Sequence, residues 1–256
     1  MRSRYRLALN GTHLDSLDSN LLILDVAYSQ IQKQVRQTAV ANLDGFDISS
    51  VYTEKQIITV SFELHIYDTA KRNKACQAVN KWASAGGILT INDREGQQIS
   101  VVCEQTAVIE SVRDWTAPLT LVFSTSGNPN WESVTEKVAT ITGRSASGNL
   151  TLDGNTGNAL VSVDVTAKAP VSSVQITVGD SVLKLTGFSL QTNQVLTVDY
   201  INGRYLRIRA NGSSIMNRLN QASSDNLKAP CGARTRVAVT ANNSVTAVFR
   251  ARGLWL

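Results

Sequence analysis

Two histidines, His13 and His65, and three cysteines, Cys76, Cys103 and Cys231, are the side chains of this chain best suited to acid–base, nucleophilic or metal chemistry. Glu63 and His65 are two residues apart, a spacing that sets both on one face of a strand, where a carboxylate can orient an imidazole. No nucleophile elbow, His-Glu-x-x-His, phosphate-binding loop or dinucleotide fingerprint accompanies them, so His65 reads as a cross-strand surface residue. Asp93 and Glu95 imitate the carboxylate pair of a glycosidase, yet they fall in Asn-Asp-Arg-Glu-Gly between two strands, where Asn, Asp and Gly supply turn conformations. The cysteines are odd in number, widely spaced and without a Cys-x-x-Cys, which fits buried thiols better than a zinc site. Asp153 to Asn158 is oxygen-rich but lacks the terminal acid of a calcium loop and reads as a β-turn. Four Asn-x-Ser/Thr triplets, at Asn10, Asn149, Asn211 and Asn242, matter only in a secreted chain. The residues therefore predict no catalytic site, no cofactor and no metal.

The elements that carry these residues are mostly strands. Ile58, Val60, Phe62, Leu64 and Ile66 alternate with Thr59, Ser61, Glu63 and His65, the period-two pattern of a half-buried strand. Asp68 and Thr69 can cap a following helix, predicted over Thr69–Ser84, in which Ala75, Ala78, Val79 and Trp82 form the buried stripe. Lys71, Arg72, Lys74 and Lys81 are left for solvent. Gly86 and Gly87 can take the left-handed conformation that stops the helix. Further strands are expected at Tyr5–Leu9, Leu21–Tyr28, Gln34–Asn42, Ile88–Asn92, Gln97–Cys103 and Leu119–Ser124.

The chain has 43% apolar and 18% charged residues, a globular composition long enough for two ordinary cores. Leu7, Ala8 and Leu9 are too few for a secretory core, and no run is long enough to span a membrane, so synthesis and assembly in the cytoplasm are expected. The stretch Gly127–Val134 breaks structure at Gly127, Asn128, Pro129 and Asn130, and the sequence predicts domains of residues 1–135 and 136–256. Trp131, just past the break, is expected to anchor the interdomain junction. Charge divides unevenly as well. Residues 1–140 hold 13 Lys/Arg against 15 Asp/Glu, whereas residues 141–256 hold 12 against 5, a surplus suited to an acidic partner or a polyanion.

After Lys137 the pattern is short alternating strands and turns, the signature of a β-sandwich. Val161, Val163 and Val165 alternate with polar neighbours, as do Val174, Ile176 and Val178. Near the end, Thr235–Thr240 and Val245–Arg252 are expected to fold back as a hairpin about Ala241-Asn242-Asn243-Ser244. Alternation places Arg207, Arg209, Arg250 and Arg252 outward. With Tyr200 and Tyr205 they suit a sugar- or anion-binding face or a protein interface alike.

The order of these weak motifs resembles the distal tail protein of long, non-contractile-tailed phages and prophages. The resemblance runs through His13–Asp18, Leu22–Val26, Asp44-Gly45, the strand and helix from Ser61 to Ala83, the hairpin Leu89–Cys103, Arg113–Phe123 and Pro129–Trp131. It continues in the second half through Val195–Asn220 and Val245–Leu256. It implies a mainly β fold of two sandwich-like domains, the first tail-tube-like with one α-helix, the second a galectin-like or carbohydrate-module-like sandwich. It also implies a non-enzymatic virion protein forming a homo-hexameric ring at the tail tip. That ring would join the tail tube protein to baseplate hub proteins or receptor-binding proteins, with DNA only in transit through its channel. An arm over residues 28–52, carrying Ile31, Val35, Phe46, Ile48, Val51 and Tyr52, would pack on the next subunit, and Arg207, Arg209, Arg250 and Arg252 would form an outer docking face. The alternative is a carbohydrate-binding protein that uses its second domain for host attachment.

Overall fold

The computed structural model describes residues 4–31, 33–39, 46–113, 115–201, 203 and 205–256; for 33–39 and 46–53 it describes the backbone alone. Internal contacts divide the chain into two compact units, Met1–Pro129 and Asn130–Leu256. The protein is mainly β, with one α-helix among the described residues.

The first unit holds β1 (Leu7–Leu9), β2 (Thr12–His13), β3 (Leu21–Tyr28), β4 (Lys33–Ala39), β5 (Phe46–Thr53) and β6 (Ile57–His65). Helix α1 (Thr69–Ser84), β7 (Gly87–Ile91), β8 (Gln97–Gln105) and β9 (Thr116–Thr125) follow. Its main sheet is antiparallel in the order β2-β1-β7-β8-β9-β6-β3. The alternation in β6 decides which face is buried. Ile58, Val60, Phe62 and Leu64 are wholly inaccessible, and β9 sets Leu121 and Phe123 beside them. Each such side chain contributes roughly 1.5–3 kcal/mol by leaving water.

Asp68 caps α1 by accepting a hydrogen bond from the Lys71 amide at 2.8 Å. A helix of this length is marginal alone, so its stability comes from the packed stripe of Ala75, Cys76, Val79, Trp82 and Ala83. Trp82 meets Phe123 edge to face with centroids 6.2 Å apart, and its Nε1 donates to Thr12 O. Gly86 at φ +57° and Gly87 at φ +120° turn the chain out of the helix into β7. Arg72 departs from the sequence reading: it is buried, donating from Nε to Ile66 O at 3.0 Å and from Nη2 to Tyr67 O at 2.9 Å. Those carbonyls lie past the end of β6, beyond its pairing with β9.

The hairpin β4–β5 forms a two-stranded sheet of its own, in register from Lys33 opposite Thr53 to Ala39 opposite Phe46. The expected Asp44-Gly45 turn lies outside the described residues, as do the side chains of Val35, Phe46, Ile48, Val51 and Tyr52. Tyr28, taken as the start of the arm, closes β3 in the main sheet, and its hydroxyl donates to both oxygens of Asp93.

The second unit holds β10 (Trp131–Ser133), β11 (Lys137–Thr151), β12 (Asn158–Leu160), β13 (Ser162–Ala167), β14 (Val171–Val178) and β15 (Ser181–Leu190). It continues with β16 (Val195–Ile201), β17 (Tyr205–Ala210), β18 (Ser213–Ser214), β19 (Lys228–Pro230), β20 (Arg234–Ala251) and β21 (Leu254–Trp255). The expected hairpin at residues 235–252 does not form. The segment is one 18-residue strand, and its halves pair with the two halves of β11 rather than with each other. On its other edge, Val237–Ala241 pairs with β14 and Val245–Arg250 with β13. Asn242 and Asn243 make this corner without reversing the chain. Asn242 Oδ1 accepts from the Ser172 and Ser173 amides at 3.0 and 3.2 Å, and Asn243 Nδ2 donates to Pro170 O. Neither residue has a positive φ, so the side chains are bonded across the fold and do not build a turn. Val163, Val165, Ile176, Val198, Val239 and Phe249 form the core.

Candidate functional site

Strand alternation brings three of the four expected arginines to the outer face of one sheet. Asp199 on β16 stands opposite Arg207 on β17, and Arg209 lies two residues further along. Arg207 grips the carboxylate with two hydrogen bonds, Nε to Oδ1 at 2.7 Å and Nη2 to Oδ2 at 2.6 Å, while Arg209 Nη2 reaches Oδ2 at 2.9 Å. On the neighbouring strands Arg250 Nη1 bonds Asp164 Oδ2 at 2.5 Å. Arg252 does not join this face. Its Nη1 donates to Ser133 O at 3.0 Å and to Val134 O, fastening the chain after β20 to β10. All four guanidinium groups are therefore committed within the protein, three to carboxylates and one to carbonyls.

Arg207 hydrogen bonding and charge hold the Asp199 carboxyl below its ordinary range against the opposing effect of burial. A depressed folded pKa contributes stability that is complete above the unfolded value of about 3.9 and is lost as pH falls through the folded value. Asp199→Asn is thus expected to cost about 1 kcal/mol near neutrality and to flatten the loss of stability below about pH 4. Denaturant melts across that range check the slope; an unchanged pH profile rules the coupling out.

The other chemically promising residues are occupied structurally. His65 Nε2 lies 3.0 Å from Glu63 Oε2, and its ring meets Trp115 edge to face at 5.2 Å. Asp93, one of the two acids in the expected turn, is the acceptor for Tyr28, whose phenol is pushed upward by burial and by that carboxylate. Burial also raises the Cys76 and Cys103 thiols, and Cys231 Sγ accepts from the Leu254 amide at 3.2 Å. Among the described residues no group of three or more His, Cys, Asp and Glu could hold a metal, and no helix is long and apolar enough to cross a membrane.

Trp131 is fully buried and stands opposite Trp255 in the β10–β21 ladder, whose indole Nε1 donates to Ser133 Oγ. Asp153 to Asn158, the apparent calcium loop, holds this seam. Asn155 N donates to Leu254 O, Leu256 N donates to Asn155 Oδ1, and Gly154 bridges Leu254 in parallel. An alanine Cβ at Gly154 would fall 2.3 Å from Leu254 O, and one at Gly253 would fall 2.1 Å from Asp153 O.

One feature escaped the sequence reading. Arg144 sits at the register shift between Gly143 and Ser145, where this one residue of β11 faces the four residues 241–244 of β20. It lines a cleft of about 370 Å³ with Ser173, Gln175, Lys184, Thr240 and Asn242. The local signal was a single charge, Arg144, in the middle of a strand otherwise mostly of Thr, Ala, Ser and Gly.

No protein-family model matches the chain, and no curated protein does. Among solved structures, the Dit protein of phage SPP1, described as a paradigm of the hub adsorption apparatus of phages infecting Gram-positive hosts, aligns with 97% of this chain and 98% of its own length. Its TM-score is 0.73 at 15% identity. A chain of the phage P2 baseplate in its activated, calcium-containing conformation covers 97% of each chain with TM-score 0.53 and 7% identity. The fold of this chain, through both of its units, is the one found in the SPP1 hub protein.

Proposed function

We propose that the chain is a structural hub protein of a phage tail tip, assembling as a homo-hexameric ring that joins the tail tube to the baseplate and lets DNA pass. The observation that carries this reading is the end-to-end agreement with the SPP1 hub protein, which includes both units rather than one common sandwich. His65, Asp93 and Cys231 serve structural contacts, which suits a non-enzymatic role. In this reading the first unit closes the ring. The segment around β4–β5 is the arm: a lone two-stranded hairpin is marginal in water and gains from a neighbour's surface.

The near-balanced first half of the chain suits a channel wall that DNA leaves quickly, since each Lys or Arg on a phosphate releases counterions and tightens binding. The arginine face keeps a docking role only through its carboxylate-bound edges. Arg252, which fastens β10, belongs to the fold of the second unit instead.

Light scattering on the full chain tests the ring. A discrete hexamer is expected, and Phe46→Ser with Ile48→Ser is expected to yield a folded monomer. A wild-type monomer that binds glycans would favour a carbohydrate-binding protein of the tail tip or host surface, and a double variant still running as a hexamer would remove the arm.

A further inference from the structure

We propose that β11 is a docking edge for an extended, acidic strand of another protein, which adds to the second unit by β-pairing and sets a carboxylate over Arg144. The other edges of this unit are closed or short. An open strand edge is a row of unsatisfied amides and carbonyls that templates pairing with any available chain, and proteins cover or shorten such edges. The outer edge of β15 is covered. Asn220 N donates to Lys184 O and Ser224 N to Val182 O, while Ser223 and Ser224 Oγ accept from the Lys184 and Val182 amides at 3.0 and 2.9 Å. The opposite end of the sheet stops at β18, which has two residues. By contrast β11 runs for 15 residues, bonds β20 on one side, and among the described residues receives nothing on the other.

The composition of β11 also leaves that edge accessible. Lys137 at its start is engaged with Asp153 at 2.7 Å, and Arg144 is the other charged residue. Most of the remaining side chains are Thr, Ser, Ala and Gly. Neither Pro nor a row of charges blocks approach, and on either side of the register shift at Arg144 the strand offers a segment about as long as an ordinary strand.

Charge selects the occupant. Arg144 is exposed and has no carboxylate within ion-pair distance among the described residues. The unit from Asn130 onward carries 13 Lys/Arg against 7 Asp/Glu. A second copy of β11 laid antiparallel over the full strand would set Arg144 against Arg144, a like-charge contact that disfavours self-pairing. A strand with Glu or Asp at that position meets backbone partners along its length and a cation at its centre.

This inference stands on the edge itself and does not depend on a ring. Its test uses the full chain with two synthetic probes: an alternating Thr-Val peptide with a central Glu, and the same peptide with a central Lys. The Glu peptide is expected to slow hydrogen exchange at amides of Lys137–Thr151 and nowhere else. Arg144→Glu is expected to weaken the Glu peptide at least about tenfold and to strengthen the Lys peptide, a charge swap that loss of folding cannot imitate. Absence of protection at saturating Glu peptide, equal affinity for both peptides, or β11 protection in the free protein that disappears on dilution would each overturn the proposal; the last would assign the edge to a second copy.

Discussion

Gly154→Ala is expected to destabilise the second unit by roughly 3–4 kcal/mol, lowering its melting temperature by about 10 °C. Two separate penalties meet at this position. Its φ of +113° lies in a region that side-chain-bearing residues rarely enter, and the added Cβ would sit 2.3 Å from Leu254 O and 2.8 Å from Leu254 N. Both of those atoms are backbone, in the strand that closes against Asn155 and Cys231. No rotamer change can relieve the contact, so the seam itself has to open. Gly253→Ala presses on the same seam from the opposite strand, 2.1 Å from Asp153 O, and its effect should not add to that of Gly154→Ala, because once the seam has opened the second contact is gone. Gly212→Ala is the control: φ is +84° with nothing within 4 Å, and a loss of about 1 kcal/mol is expected. Calorimetry of the three variants decides. A Gly154→Ala protein that melts with the control would show that the seam contributes nothing.

Arg72→Ala is expected to cost the first unit about 3 kcal/mol, and Arg72→Lys about 2 kcal/mol. The guanidinium is 5% exposed and divides its donors between Ile66 O and Tyr67 O, the two carbonyls that carry the chain from β6 into α1. Removing it strands both acceptors and leaves a void under the first turn of the helix. Lysine restores the charge as a point donor on a flexible stem, without the planar fork that reaches two carbonyls at once. Denaturant melts of the three proteins measure the series. A lysine variant as stable as the wild type would mean that charge alone matters there, and an alanine variant within a few tenths of a kcal/mol would mean that water serves the carbonyls equally well.

Arg72 also shows what could be read from the sequence and what could not. The bounds of α1 were legible because each end has a local cause, a capping Asp68 at one and the Gly86-Gly87 pair at the other. The fate of Arg72 was not, since helical spacing says which face a residue occupies but not that two orphaned carbonyls lie beneath it. In the second unit, alternation was enough to place Arg207, Arg209 and Arg250 outward, and their carboxylate partners emerged only once β16 and β13 were in register. The turn chemistry of Asn242-Asn243 was equally misleading. The same short amide side chains that favour a reversal can bond the backbone of a neighbouring strand, and here they bond Ser172, Ser173 and Pro170. The open edge of β11 had no signature at all, because a strand mostly of Thr, Ala, Ser and Gly has no periodicity that tells a covered edge from an uncovered one.

The pairing of β11 with β20 has a consequence for the order in which the chain acquires its structure. The two strands meet across most of the second unit, from Thr151 opposite Arg234 out to Lys137 opposite Ala251. By contrast, β14–β15 and β16–β17 join through short connections and can close within microseconds of becoming available. Both β13 and β14 also need β20 as a partner, so neither sheet layer can be completed before that strand arrives. On a ribosome the unit would wait with its local hairpins formed and β11 unpaired along both edges, a slow, high-contact-order step in which holdase chaperones have something to bind. Pulse-labelled hydrogen exchange during refolding should accordingly protect the amides of Val171–Leu190 and Val195–Ala210 first and those of Lys137–Thr151 last, together with β20.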